Sequence, residues 1–198
     1  FAQPPALSGP NWLTGNTAIG GAAGQQDSPA IARGGNQFLA VWVDSRTTYN
    51  QTLTEQTDEQ TGNDIYAVRL DANGTPIDST PIIVDQTYGY QRAPKVSWNG
   101  QAWLVVYESQ DFTGTYYETN IHAVRVSAAG LVLDAPSLLV YGGDFVGGWE
   151  VASDGNNWCV ESSTSVHGTV ARRISTAGAF LDTPPVVLLA PSPTGGGA

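Results

Sequence analysis

The chain has 198 residues, of which only 13% are charged, and it carries a formal net charge of −10. Such an acidic chain lacks the basic patch that phosphate contacts require, which excludes a nucleic-acid partner. Its one cysteine, Cys159, excludes an internal disulfide and a cysteine-based zinc site, and no apolar run reaches the length of a membrane-spanning helix.

The first 27 residues are interpreted as an N-terminal extension with a partial strand unit, "NWLTGNTAIGG" at 11–21. They contain neither the basic region nor the hydrophobic stretch of a signal peptide. The composition, rich in Gly, Thr and Asn with a single lysine, favours a secreted or cell-surface bacterial protein.

Three segments further along the chain repeat one another. In 28–45, 93–109 and 149–163 a glycine turn is followed by an aromatic residue and an apolar strand. A second motif follows each time, in which an arginine precedes a glycine by five residues and an aspartate by nine. Repeats of this kind predict a chain of similar structural units. The predicted units are 28–85, 86–140 and 141–190, with a Gly-rich tail or linker at 191–198.

Each unit is predicted to form four strands, which in the first unit lie at about 29–33, 37–44, 64–71 and 81–85. The segments "GGN" and "DANG" supply hairpin turns, because Gly and Asn accept the positive φ that such turns need. The second strands are apolar on both faces, as expected of a sheet that lies between two others. The sequence therefore predicts an all-β chain of three four-stranded antiparallel units resembling β-propeller blades.

The pattern "GNQFLAVWVDS…DIYAVRLDANGTPID" resembles a repeat of secreted bacterial proteins that is usually assigned to β-propellers. The resemblance covers about 28–189 and implies the architecture without implying an activity. Three blades are fewer than the usual four to eight of a ring. Two chains could complete a six-bladed ring as a homodimer, the chain could be a segment of a longer propeller, or the sheets could pack in another way.

The repeated arginine and aspartate are interpreted as structural, with each arginine pairing a carboxylate across a turn or between blades. A feature found in every unit points to packing rather than to a site that is built once. His122 is predicted to pack inside its unit, and His167 to lie at a turn. No Gly-x-Ser-x-Gly nucleophile motif is present.

The loop between the second and third strands of the first unit is rich in carboxylates. Asp44 and Asp64 are predicted to lie at its base, and Asp58 lies within it. Oxygen ligands that converge in this way predict a possible calcium site. Asp44 and Asp64 can also be interpreted as the acid/base pair of a glycosidase.

The loops at 45–63, 110–119 and 164–168 differ between units and are predicted to project from one edge of the blades. The second carries Asp111, Phe112, Tyr116 and Tyr117. Aromatic side chains beside a carboxylate suit stacking on a sugar or on an apolar peptide side chain. These four residues are the predicted ligand-binding site.

No catalytic constellation is visible, so the leading hypothesis is a non-catalytic extracellular module for binding or adhesion that recognises a glycan or a protein surface through its loops. An alternative is a structural subunit of a larger surface or filament assembly, whose open strand edges need a partner. A third hypothesis is a glycoside hydrolase or lyase.

Overall fold

A computed structural model describes five ranges of the chain: 25–46, 62–87, 89–112, 117–143 and 145–190. These ranges form twelve strands in three four-stranded antiparallel sheets and contain no helix. Within them, therefore, no helix is long and apolar enough to cross a membrane.

Each sheet is a meander in which consecutive strands are neighbours. We call the sheets blades 1, 2 and 3. Blade 1 contains β1 (Gln26–Gly34), β2 (Gln37–Asp44), β3 (Asp64–Asp71) and β4 (Ile82–Asp85). Blade 2 contains β5 (Tyr90–Trp98), β6 (Ala102–Phe112), β7 (Tyr117–Ser127) and β8 (Leu138–Tyr141). Blade 3 contains β9 (Phe145–Ser153), β10 (Trp158–Thr164), β11 (Gly168–Ile174) and β12 (Val186–Leu189).

The predicted fold class is confirmed, and so are the four strands of the first unit. One predicted loop differs, because β6 and β7 continue pairing up to Phe112 and Tyr117. The loop predicted at 110–119 is therefore a shorter connection at the tip of a long hairpin. The partial strand predicted at 11–21 and the Gly-rich tail at 191–198 lie outside the described residues.

The blades stack face to face, with their first strands side by side. β1 packs against β5, and β5 packs against β9. This is the arrangement in a propeller, where the first strand of every blade lies closest to the axis.

Two hydrophobic cores lie between the blades. The first core joins blades 1 and 2 and includes Leu39, Val41 and Trp103, while the second joins blades 2 and 3 and includes Leu104 and Trp158. Strand β6 serves both cores because successive side chains of a strand point to opposite faces. Blade 2 is thus covered on both faces, as its apolar pattern predicts.

The Arg–Asp motif has the structural role predicted for it. The pairs Arg69–Asp78, Arg125–Asp134 and Arg173–Asp182 have nitrogen–oxygen distances of 2.5, 2.6 and 2.8 Å. Each aspartate also accepts a hydrogen bond from the backbone N–H of its arginine. The carboxylate therefore ties the segment after each third strand back onto that strand.

Candidate functional site

Buried polar side chains gather where the β2–β3 and β6–β7 hairpins leave the cores. We call this group the polar layer; it comprises Asp44, Arg46, Asp64, Asp85, Gln91, Ser109 and Asn120. Burying polar groups is costly unless they are hydrogen-bonded, so a concentration of them at one end of the blades calls for a specific explanation.

Two carboxylates of the polar layer lie next to each other. Asp44 ends β2 and Asp64 begins β3, and they are direct partners in the register of the two strands. Both side chains are 0% exposed. The preceding cross-strand pair, Trp42 and Tyr66, stacks with ring centroids 6.4 Å apart on the same face of the sheet. The hairpin register thus places two buried carboxylates side by side, next to two aromatic rings on the same face.

The Asp44 carboxylate is held in its ionised form. It accepts hydrogen bonds from the guanidinium of Arg46, from the backbone N–H of Arg46 at 2.9 Å and from Trp42 Nε1 at 3.0 Å. Burial alone would raise the pKa of Asp44, but the hydrogen bonds from Arg46 and Trp42 outweigh burial, so the pKa lies below its ordinary value. The guanidinium also lies 4.5 Å from the centroid of the Tyr66 ring, a cation–π contact.

Asp64 has a different set of neighbours. The uncharged amide of Gln86 donates to Asp64 Oδ2 at 3.4 Å and to Tyr66 Oη at 3.2 Å. Burial, together with the nearby charge of Asp64, raises the pKa of the Tyr66 hydroxyl. The Arg46 guanidinium is thus hydrogen-bonded to Asp44 and also interacts with the charge of Asp64, while the amide of Gln86 contacts Asp64.

The polar layer also joins blade 1 to blade 2. The buried Tyr107 hydroxyl of β6 donates a short hydrogen bond to Asp85 Oδ2 at the end of β4. Gln91 of β5 donates to the carbonyl of Thr87 at 3.2 Å. These bonds fix the end of β4 against the second blade.

The calcium prediction named Asp44, Asp58 and Asp64. Asp44 and Asp64 are neighbours, but Asp58 lies outside the described residues. Among the residues that the structure describes, no group of three His, Cys, Asp or Glu side chains is arranged to hold a metal ion. A cation already contacts Asp44, namely the guanidinium of Arg46. Sequence reasoning missed Arg46, although an arginine two residues after a strand-end aspartate was a readable signal.

The predicted ligand-binding residues fall at the tip of the β6–β7 hairpin. Asp111 and Phe112 end β6, and Tyr117 begins β7 opposite Phe112. The side chains of these three residues and the whole of Tyr116 lie outside the described part of the chain. A glycan or peptide site at this hairpin therefore stays a prediction.

Two other carboxylates pair with cations of the first strands. Glu150 of β9, with 70% of its side chain exposed, pairs with Lys95 of β5 at 2.8 Å. Arg92 of β5 pairs with Glu108 of β6 at 2.9 Å. Each of these pairs is a single carboxylate with its own cation, unlike the two adjacent carboxylates of the polar layer.

The chain was compared with known proteins. No protein-family model and no curated protein matches the sequence. Similar solved structures include the catalytic domain of a GH62 α-L-arabinofuranosidase from Coprinopsis cinerea, with 13% identity and a TM-score of 0.44 over 84% of this chain and 51% of that one. The chain thus spans about half the length of that domain.

Two further structures are similar. One is the α-L-arabinofuranosidase PaAbf62A from Podospora anserina in complex with cellotriose, with 12% identity and a TM-score of 0.32 over 86% of this chain and 70% of that one. The other is an exo-1,5-α-L-arabinanase from a bovine ruminal metagenomic library, with 13% identity and a TM-score of 0.41 over 96% of this chain and 86% of that one.

These comparisons correct the leading functional hypothesis. The sequence led us to expect a non-catalytic binding module, whereas the three similar structures named above are all glycoside hydrolases. The expectation was wrong because it relied on the lack of a catalytic motif. Glycosidase carboxylates come from separate parts of a chain and leave no local motif to find. At this level of identity the likeness extends to the fold alone.

Proposed function

We propose that this chain contributes to a glycoside hydrolase and that Asp44 and Asp64 are its acid/base pair. The observation that carries the proposal is the adjacency of two buried carboxylates, of which Asp44 is hydrogen-bonded by Arg46 and Trp42. Hydrolysis of a glycosidic bond needs one carboxyl group that is ionised and one that donates a proton. Neighbouring groups whose surroundings differ are suited to these two roles.

The hydrogen bonds assign the roles. Asp44, held ionised by Arg46 and Trp42, is the nucleophile or base. Asp64, its direct partner across the two strands, is the general acid. Side chains directly opposite on paired strands have Cβ atoms about 5 Å apart. Carboxyl groups about 5 Å apart act by the retaining mechanism, through a covalent glycosyl intermediate.

The proposal requires that the glycan reach the pair from the hairpin end of blade 1, because both carboxylates are covered. A site closed to water strengthens the electrostatic stabilisation of a developing positive charge on the sugar ring. Trp42 and Tyr66 lie beside the pair on the same face of the sheet, and the buried Tyr66 ring helps to exclude water from it.

The test uses the full chain with arabinan, a chromogenic α-L-arabinofuranoside and cello-oligosaccharides, substrates suggested by the names of the similar structures. We expect turnover by the wild-type chain and a loss of roughly 100-fold or more in kcat/KM in D44N and in D64N. E150Q is the matched control, because it neutralises an exposed carboxylate that pairs with Lys95, and it should keep full activity.

Loss of folding is separated from loss of chemistry by a further variant. D44A should regain turnover when azide is supplied, because a small anion can replace a missing nucleophile while the acid remains. Thermal unfolding of every variant checks that the fold is intact. A wild-type chain inactive on the whole panel, or D44N and D64N variants with full activity, would overturn the proposal.

A further inference from the structure

The arginine of each Arg–Asp pair also reaches the next blade. Arg69 Nη1 donates to the carbonyl of Ala128 in blade 2 at 2.9 Å, and Arg125 Nη1 donates to the carbonyl of Thr176 in blade 3 at 2.7 Å. Ala128 and Thr176 occupy the same position in the turns after β7 and β11. One hydrogen bond therefore repeats at both junctions between blades.

The turn that receives the arginine depends on a glycine. A Cβ atom at Gly130 would lie 2.8 Å from Arg69 Nε, and one at Gly178 would lie 2.8 Å from Arg125 Cζ. No carbon atom fits at such a distance, so the arginine of the preceding blade passes over the glycine. Each junction is thus built from an arginine on one blade and a carbonyl and a glycine on the next.

Both ends of the stack carry one half of this junction. Arg173 of blade 3 has a side chain that is 57% exposed, compared with 15% for Arg69 and 13% for Arg125. Within the described residues its hydrogen bonds go to its own Asp182. Blade 1 carries the receiving half, since a Cβ at Gly74 would meet no described atom within 4 Å and Ala72 is exposed.

The outer face of blade 1 has the form of a junction face. In blade 2, Trp103, Val105 and Tyr107 of β6 pack against the preceding blade. The matching positions of β2 are Phe38, Ala40 and Trp42. Together with Ile31, which is 58% exposed, they form an apolar surface on the face turned away from blade 2.

Opposite charges would meet at a further junction between a blade 3 and a blade 1 that packed in the same way. At the first junction Gly34 lies against Trp98, where a Cβ on Gly34 would be 2.7 Å from the Trp98 ring. The position of Gly34 is taken in blade 3 by Asp154, and the position of Trp98 is taken in blade 1 by Arg33. A further junction of the same form would place Asp154 beside Arg33.

We propose that blade 3 of one chain packs against blade 1 of a second copy, with Arg173 donating to the carbonyl of Ala72 above Gly74. Two such contacts related by a twofold axis close a ring of six blades, within the usual range for propellers. The inference rests on the junctions inside the chain, and the face of blade 1 that it uses also carries Asp44 and Asp64.

One residue weakens this contact. Glu161 occupies, in blade 3, the position of Val106 in blade 2 and Val41 in blade 1, both of which are buried in a core. Covering a carboxylate costs free energy, so the pair should be reversible. Replacing Glu161 by valine should tighten the association.

The experiment measures the mass of the full chain over a range of concentrations by sedimentation and light scattering. We expect a species of twice 20.8 kDa for the wild type. In R173A and G74N the dissociation constant should rise about tenfold or more, as for the loss of a charge-assisted hydrogen bond. Asparagine tolerates a positive φ, so G74N adds a side chain in the path of the arginine with little strain in the turn.

G35N is the matched control. Gly35 also has a positive φ, and its counterpart in blade 3, Gly155, has open space around a Cβ at the junction with blade 2. G35N should therefore associate like the wild type, and E161V should associate more tightly. Circular dichroism checks the fold of each variant.

A mixing experiment identifies the head-to-tail form of the contact. R173A keeps an intact blade 1 face and G74N keeps an intact blade 3 face, so a mixture of the two variants should associate more tightly than either alone. A wild-type chain that stays monomeric, or a dimer that persists unchanged in R173A and G74N, would overturn the proposal. So would a mixture that associates no better than its components.

Discussion

Asp182 and Arg173 form the most exposed of the three Arg–Asp pairs, yet their titration is strongly coupled. The side chain and the backbone N–H of Arg173 both donate to the Asp182 carboxylate and lower its pKa to about 2. Hydrogen bonds to the ionised form favour that form even where solvent is close. At the scale of single residues, the hydrogen bonds of the Arg–Asp motif lower the carboxyl pKa even where the pair is little buried.

This coupling predicts a pH dependence of stability. A lowered pKa stabilises the fold above the ordinary carboxyl value of 3.8, and the contribution is lost as the pH falls toward 2. R173A should move the midpoint of the Asp182 titration up toward 3.8, as measured by carboxyl carbon NMR.

Asp154 is the internal control for this titration. Its pKa is lowered mainly by the backbone N–H groups of Asn157 and Asn156, so its midpoint should move much less in R173A than the midpoint of Asp182. A wild-type midpoint of Asp182 near its ordinary value, or one that R173A leaves unchanged, would contradict the assignment of the shift to Arg173.

At the scale of single elements, β1 ends at Gly34, where blade 2 leaves no space for a side chain. A Cβ at Gly34 would lie 2.5 Å from Trp103 Cζ2 and 2.7 Å from Trp98 Cε3. These two rings pack at 4.6 Å between centroids, and Trp103 is fully buried in the first core. The close approach of β1 to blade 2 therefore depends on the absence of a side chain at Gly34.

Replacing Gly34 by alanine should reduce the free energy of unfolding by roughly 1–3 kcal/mol, because the rings are packed and cannot move away cheaply. Urea denaturation measures the change. Gly142 provides the comparison, since it is exposed and a Cβ there would meet no ring, its nearest atom being Asn120 Oδ1 at 3.1 Å. G142A should lose clearly less stability, and equal losses would argue against the steric explanation.

At the scale of the whole molecule, blade 2 joins two cores into one structure. Val105 of β6 lies in the first core and Val106 in the second, and each core contains a fully buried tryptophan. Because β6 contributes alternate side chains to both cores, the loss of packing in one core disturbs the other. The described blades should consequently unfold together.

V105A and V106A test this coupling. Each should lower the free energy of unfolding by about 2 kcal/mol, from the removal of buried methyl groups. In both variants the transitions followed by tryptophan fluorescence and by circular dichroism should coincide. Measurement at low protein concentration keeps any association between copies out of the result. Two separated transitions in either variant would show that the cores unfold independently.

Much of this architecture could be predicted from local patterns. The alternation in "QFLAVWVD" places β2, and the glycine turns separate the strands, because both depend on backbone preferences of a few neighbouring residues. The pairing of Arg69 with Asp78 was also predictable, since the two residues are close in sequence and recur in every unit. The proximity of Asp44 to Asp64 could be predicted from the hairpin, but the burial of the two residues and the role of Arg46 could not.

By itself, then, the sequence determined the strands, the turns and the Arg–Asp pairs, because each is encoded within one hairpin or turn. Only the tertiary structure decided how the blades meet. The bond from Arg69 to Ala128 joins residues that are 59 positions apart, and the role of Gly130 appears only when that arginine lies over it. Contacts of this kind depend on how whole sheets stack, which no local pattern records.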